Sequence, residues 1–139
     1  MQKAIEFRDV ISTEDFCHLR ESVGFQKLTI TQAERVLSNT SFLVTAVCNG
    51  RSVGIVRVLT DTLTDAYITD VIVSPDFQGN GLGLKMINIV LERLKSLSID
   101  NICLTCVLYA NVGKEPFYKK IGFDELPNDK YGYGMLMEL

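Results

Sequence analysis

Two hydrophobic periods run along this chain, one of two residues and one near 3.6, and the switches between them predict its elements. Residues 2–8 (QKAIEFR) read as an opening strand. Ser12 or Thr13 offers an N-cap, with Asp15 in the first turn, for a short helix through about Ser22. Thr31 and Glu34 stand at capping-box spacing before a second helix, TQAERVL, that ends near Asn39. FLVTAVC (42–48), the pair Asn49-Gly50 and SVGIVRVL (52–59) predict a hairpin, because Asn-Gly supplies the positive φ values of a type I′ turn. AYITDVIV (66–73) is a third β-branched strand. From Gly81 to about Leu97 the period turns helical, with Leu84, Ile87, Leu91 and Leu94 on one stripe. NICLTCVLY (101–109) predicts a buried strand, EPFYKKIGF a short helix closed by Gly122, and YGYGMLMEL (131–139) a last strand. The order β-α-α-β-β-β-α-β-α-β implies an α/β or α+β domain with a mixed sheet.

Composition narrows the class. With 139 residues, 47% hydrophobic and 22% charged, and neither a repeat nor a linker, the chain is expected to form one globular domain over 1–139. A net charge of -3 without a like-sign block offers no field for nucleic acid or an anionic membrane, so neither is expected as a partner. MQKAIEFRDV lacks the apolar core of a signal peptide, and no apolar run approaches a membrane span, so the expected location is cytoplasmic. Cys103 and Cys106 form a C-x-x-C, but they lie in a strand-like run that points them to opposite faces. They are read as buried thiols, no metal site is expected, and the one histidine, His18, is read as a surface residue.

The stretch VSPDFQGNGLGLKM (73–86) puts three glycines where a strand hands over to a helix. It is not a Walker A loop, since no Lys-Ser/Thr pair follows, and its glycine spacing differs from the dinucleotide fingerprint. It shares their physics: a helix N-terminus with free N–H groups, side-chain-free residues that admit an anion, and Lys85 in the first turn. The alternative is a tight packing turn without a ligand.

Gln78, Gly81 and Gly83 stand at the spacing of motif A in the GCN5-related N-acetyltransferase (GNAT) superfamily: Gln or Arg, two residues, Gly, one residue, Gly or Ala. ANVGKEPFYKKIGF resembles motif B, with Asn111 seven residues before Tyr118 and then Gly122-Phe123; Lys114 departs from the small residue commoner there. The chain thus resembles a small, single-domain, bacterial-type member of that superfamily. The resemblance implies a mixed central sheet with a splayed strand pair, flanked by about four helices. It also implies acetyl-coenzyme A, its pyrophosphate held by backbone N–H groups across Gln78, Gly79, Asn80, Gly81, Leu82, Gly83 and Lys85. Main-chain groups near Ile72 and Val73 would pair with the pantetheine arm as an added strand does.

The activity so implied is transfer of an acetyl group to a primary amine, with a small molecule as the leading acceptor, by direct attack through a tetrahedral intermediate. A protein N-terminus or lysine as acceptor, or a non-catalytic coenzyme A-binding sensor, are the alternatives. Val73 N–H is the oxyanion candidate. Tyr118 matches the family's general acid, against a reading in which it only packs beside Phe117. Asn111 either bonds the coenzyme arm or holds the turn before the helix. Asp70 is the one acid in its strand and the candidate base, with Tyr67 or a water chain as substitutes. Strict alternation sets Asp70 opposite Tyr67 and Thr69 unless a bulge intervenes, and its plainer role is a structural brace. Phe25 and Tyr67, with Tyr131 and Tyr133, are candidates for an acceptor pocket. Dimers are common in this fold, and GMLMEL is a candidate to pair across a homodimer.

Overall fold

The structure, a computed structural model, describes residues 4–139. Its five-stranded sheet has the order β1 (Glu6–Arg8), β2 (Phe42–Cys48), β3 (Arg51–Thr60), β4 (Asp65–Val73), β5 (Thr105–Val107). All neighbours are antiparallel except β4 and β5, which run parallel. The helices are α1 (Thr13–Ser22), α2 (Ile30–Ser38), α3 (Leu82–Ser96) and α4 (Glu115–Ile121). The chain divides into two compact units, Met1–Val107 and Leu108–Leu139.

In the first unit, Ser12 caps α1 by accepting the Asp15 N–H at 3.1 Å. Asn49 (φ 51°) and Gly50 (φ 76°) close the β2–β3 hairpin, with Cys48 opposite Arg51. The capping box of α2 lies two residues earlier than expected. Thr29 accepts the Gln32 N–H at 3.2 Å and Gln32 accepts the Thr29 N–H at 2.9 Å, because Thr29 and Gln32 offer the same spacing ahead of Thr31 and Glu34.

The sheet is covered on both faces. Phe16 and Leu19 of α1 and Ala33 of α2 bury against Leu43, Ile55 and Ile72. The other face takes α3. A Cβ on Gly54 would stand 2.8 Å from Met86 Cε, so the missing side chain in β3 is what lets α3 approach. The buried stripe of α3 is Leu82, Met86, Ile87, Val90 and Leu94, while Leu84 is exposed. Of the expected stripe, Ile87 and Leu94 are buried and Leu84 is not: LGLKMINIVL is apolar on several sides, and contact with the sheet selects which one turns inward.

The opening strand begins at Glu6, with residues 2 and 3 outside the described part. The strand expected over 101–109 shrinks to Thr105–Val107, since Asp100 and Asn101 both have positive φ (53° and 58°) and turn the chain before it. Cys103 is therefore exposed rather than buried. Cys106 is half-buried, and burial pushes its thiol up to about 11.

In the second unit Gly122 (φ 121°) closes α4, its N–H donating to Lys119 O at 3.1 Å. The expected strand over 131–139 is not formed. Asn128 Oδ1 draws in the N–H groups of Lys130 and Tyr131 at 2.9 and 2.7 Å, a local turn that competes with extension, and Gly132 and Gly134 add no side chains to pack.

Candidate active site

β4 ends in a loop built to expose main chain. Ser74 N–H donates to Val53 O at 2.8 Å, toward β3. Successive amides of an extended strand point to opposite edges, so Val73 N–H is directed to the other edge of β4. On that edge β5 pairs only with Asp65–Tyr67, and β4 runs on to Val73 past the last pair. This is the parting of strands that the family resemblance implied. A single 3-10 turn, Pro75–Phe77, then reverses the chain, and Gln78 Nε2 reaches back to Val73 O at 2.9 Å.

Gly79 (φ 82°) and Gly81 (φ 77°) take left-handed conformations, and a Cβ on either would meet nothing within 4 Å. Asn80 Nδ2 lies 3.4 Å from Gln78 O. Gly81 is the N-cap of α3 and supplies no capping side chain. The first helical bond runs from Lys85 N–H to Gly81 O at 3.1 Å, so the N–H groups of Leu82, Gly83 and Leu84 precede it. Leu82 is buried and anchors this turn to the core. A helix end with no side-chain cap, bare glycines over open space and Lys85 in the first turn suit a pyrophosphate.

Asp70 sits at a bulge. Arg57 pairs with Thr69 and Ile55 with Ile72, so the single residue Val56 of β3 faces both Asp70 and Val71. Asp70 is a non-glycine residue at φ 45°, and this turns its carboxylate to the face of Arg57 and Thr69. There Arg57 Nε donates to Oδ2 at 2.7 Å and Arg20 Nη1 of α1 donates to Oδ1 at 3.2 Å. The three side chains are only 7%, 12% and 15% exposed for Asp70, Arg57 and Arg20. Arg57 Nη1 also donates to Thr40 Oγ1 at 3.0 Å. Both oxygens of the candidate base are thus engaged by guanidinium groups.

Neither arginine was singled out from the sequence. The available signal was Arg57 itself, one cation inside the apolar run SVGIVRVL, which needs a buried partner. Arg20 lies 5.7 and 5.5 Å from the ring centroids of Phe16 and Phe25. Phe25, of the expected acceptor wall, is half-buried and packs on the core. Tyr67 is half-buried in β4, between Leu59 and Val107.

Asn111 and Tyr118 belong to the second unit. The main-chain oxygen of Asn111 accepts the Lys114 N–H at 2.9 Å, in the turn that leads into α4. The Tyr118 ring meets Phe117 and Phe123 edge-on, at 5.0 and 6.0 Å between centroids. Burial pushes its phenol up, so it holds its proton throughout the neutral range.

The chain is similar to known proteins. The acetyltransferase (GNAT) family profile matches residues 7–123. A chain described as an uncharacterized N-acetyltransferase ycf52, from Pyropia yezoensis, is 32% identical over 139 residues, covering 92% of this chain and 78% of its own length. A histone acetyltransferase, TAP1, of Glycine max is 28% identical over 131 residues, covering 86% of this chain and 53% of its own. The crystal structure of a probable acetyltransferase from meticillin-resistant Staphylococcus aureus superposes with a TM-score of 0.82 at 28% identity, over 98% of this chain and 100% of the other. With the family profile spanning most of its length, this chain belongs to the GNAT family of acetyltransferases.

Proposed function

We propose that this acetyltransferase moves the acetyl group of acetyl-coenzyme A to the primary amine of a small molecule by direct attack. The observation that carries the reading is the α3 N-terminus, where Gly81 in a left-handed conformation leaves the first-turn N–H groups without a side-chain cap. These groups and Lys85 take the pyrophosphate. Val73 N–H, at the open edge of β4, receives the charge that develops on the thioester oxygen as the amine adds. The Tyr118 hydroxyl gives its proton to the departing thiolate. The amine proton leaves through water, because both oxygens of Asp70 are already held by arginines. Phe25 and Tyr67 line the acceptor side.

A protein amine is the second reading, favoured by the histone acetyltransferase among the relatives. Thiol release from acetyl-coenzyme A, measured against a panel of small amines and of lysine and N-terminal peptides, separates the two. Turnover with small amines alone supports the first reading. Turnover confined to peptides replaces it with the second, and silence across the panel with intact coenzyme binding favours a sensor.

A further inference from the structure

The Arg20–Asp70–Arg57 cluster has no place in the proton transfers proposed above, yet it joins three elements at the one irregular point of β4. Asp70 adopts φ 45°, a conformation disfavoured for a residue with a Cβ, and does so at a bulge. Its backbone would relax into an ordinary strand unless the side chain were rewarded for the turn. Arg57 Nε at 2.7 Å and Arg20 Nη1 at 3.2 Å supply that reward, one from the neighbouring strand and one from α1. The consequence lies downstream. A bulge inserts one residue into one strand, so it reverses which edge each later amide faces. Past this bulge, Ser74 N–H points to Val53 O at 2.8 Å and Val73 is left facing the open edge. Without the extra residue, the register beyond Thr69 would shift by one and Val73 would turn toward β3.

We propose that Arg20 and Arg57 are positioning residues: through Asp70 they hold the β4 bulge and so aim the Val73 amide at the open edge. The inference deepens the acetyltransferase reading and rests on it for what the amide binds, but not for the bulge itself. It assigns Asp70 to geometry rather than to proton abstraction.

The test uses the whole chain and the variants Arg57→Gln, Arg20→Gln and Asp70→Asn, with Arg57→Lys as the conservative rescue. Backbone amide spectra of the free proteins report the bulge, and calorimetry with acetyl-coenzyme A reports its use. The amide signals of residues 70–73 should move in the Gln and Asn variants, while those of the distant hairpin turn at Asn49 and Gly50 stay. The affinity for acetyl-coenzyme A should fall about tenfold, the worth of one misaimed hydrogen bond, and Arg57→Lys should recover part of both. Thr29→Ala, which loses the N-cap of α2 rather than any bond of the sheet, controls for stability and should move neither. Unmoved amide signals at 70–73 in any folded variant overturn the inference. Moved signals with unchanged affinity overturn its functional half. A wild type that does not bind acetyl-coenzyme A overturns the acetyltransferase reading instead, and the amide signals still judge the bulge.

Discussion

The side-chain amide of Gln78 donates to the main-chain oxygen of Val73 at 2.9 Å, so a motif residue folds the glycine loop back on the strand that precedes it. N–H and C=O of one residue point to the same edge of a strand, which places Gln78 beside the Val73 amide that faces outward. Replacing Gln78 by Ala removes the bond and should lower stability by about 1 kcal/mol. Gln78→Glu should weaken acetyl-coenzyme A binding further than Ala does, because a carboxylate cannot donate to the carbonyl and repels a pyrophosphate. Thermal unfolding and calorimetry on the two variants check the order.

The two candidate caps of α2 make separate claims. Thr29→Ala should cost about 1 kcal/mol, the usual loss for an N-cap, whereas Thr31→Ala inside the first turn should cost much less. Urea unfolding of both variants decides which threonine caps. An equal loss at Thr31 contradicts the observed box.

Gly54 faces Met86 Cε at 2.8 Å, Met86 Sδ at 3.2 Å and Ile72 O at 3.3 Å from the position of its absent Cβ. A methionine tip can move, but a strand carbonyl cannot. Gly54→Val should therefore destabilise by about 1–3 kcal/mol, the range for overpacking, and Gly54→Ala by less. Combining Gly54→Val with Met86→Ala should recover part of the loss, since the two sites touch.

Much of this was legible along the chain because local chemistry decides it. Ser12 and Asp15 mark the start of α1, Asn49-Gly50 mark the hairpin, and Gly122 marks the end of α4. The glycine loop was legible for the same reason, as its conformation needs only its own residues. What stayed hidden depends on partners far away in sequence. Arg20 and Asp70 are 50 residues apart and Arg57 and Asp70 are 13 apart, so nothing local tells Asp70 that its oxygens are taken. The stripe of α3 and the short β5 likewise follow from sheet contact and from the turn at Asp100 and Asn101, not from periodicity.

Tyr118 gives a prediction with a direction in pH. Its phenol is raised by burial, so the neutral form is the favoured one in the folded state. The stability this contributes is fully present below the ordinary tyrosine value of about 10 and is lost as pH rises through the higher folded value. As a proton donor it should keep turnover flat across neutral pH and lose it only on the alkaline side. Tyr118→Phe should preserve the edge contacts with Phe117 and Phe123, shift stability by less than about 0.5 kcal/mol, and lower kcat by about a hundredfold. A Phe enzyme with wild-type kcat assigns Tyr118 to packing alone.

The central claim, that the α3 N-terminus holds the coenzyme pyrophosphate, is tested most directly by calorimetric titration with acetyl-coenzyme A. The wild type is compared with Gly81→Glu and with Gly81→Asn, a residue that tolerates the left-handed conformation. Binding by the wild type and by Gly81→Asn, lost in Gly81→Glu, is the predicted result, since only glutamate brings a negative charge that competes for the first-turn amides and repels the pyrophosphate. Equal binding by all three, or none by the wild type, would contradict the account and leave the glycines as a packing turn.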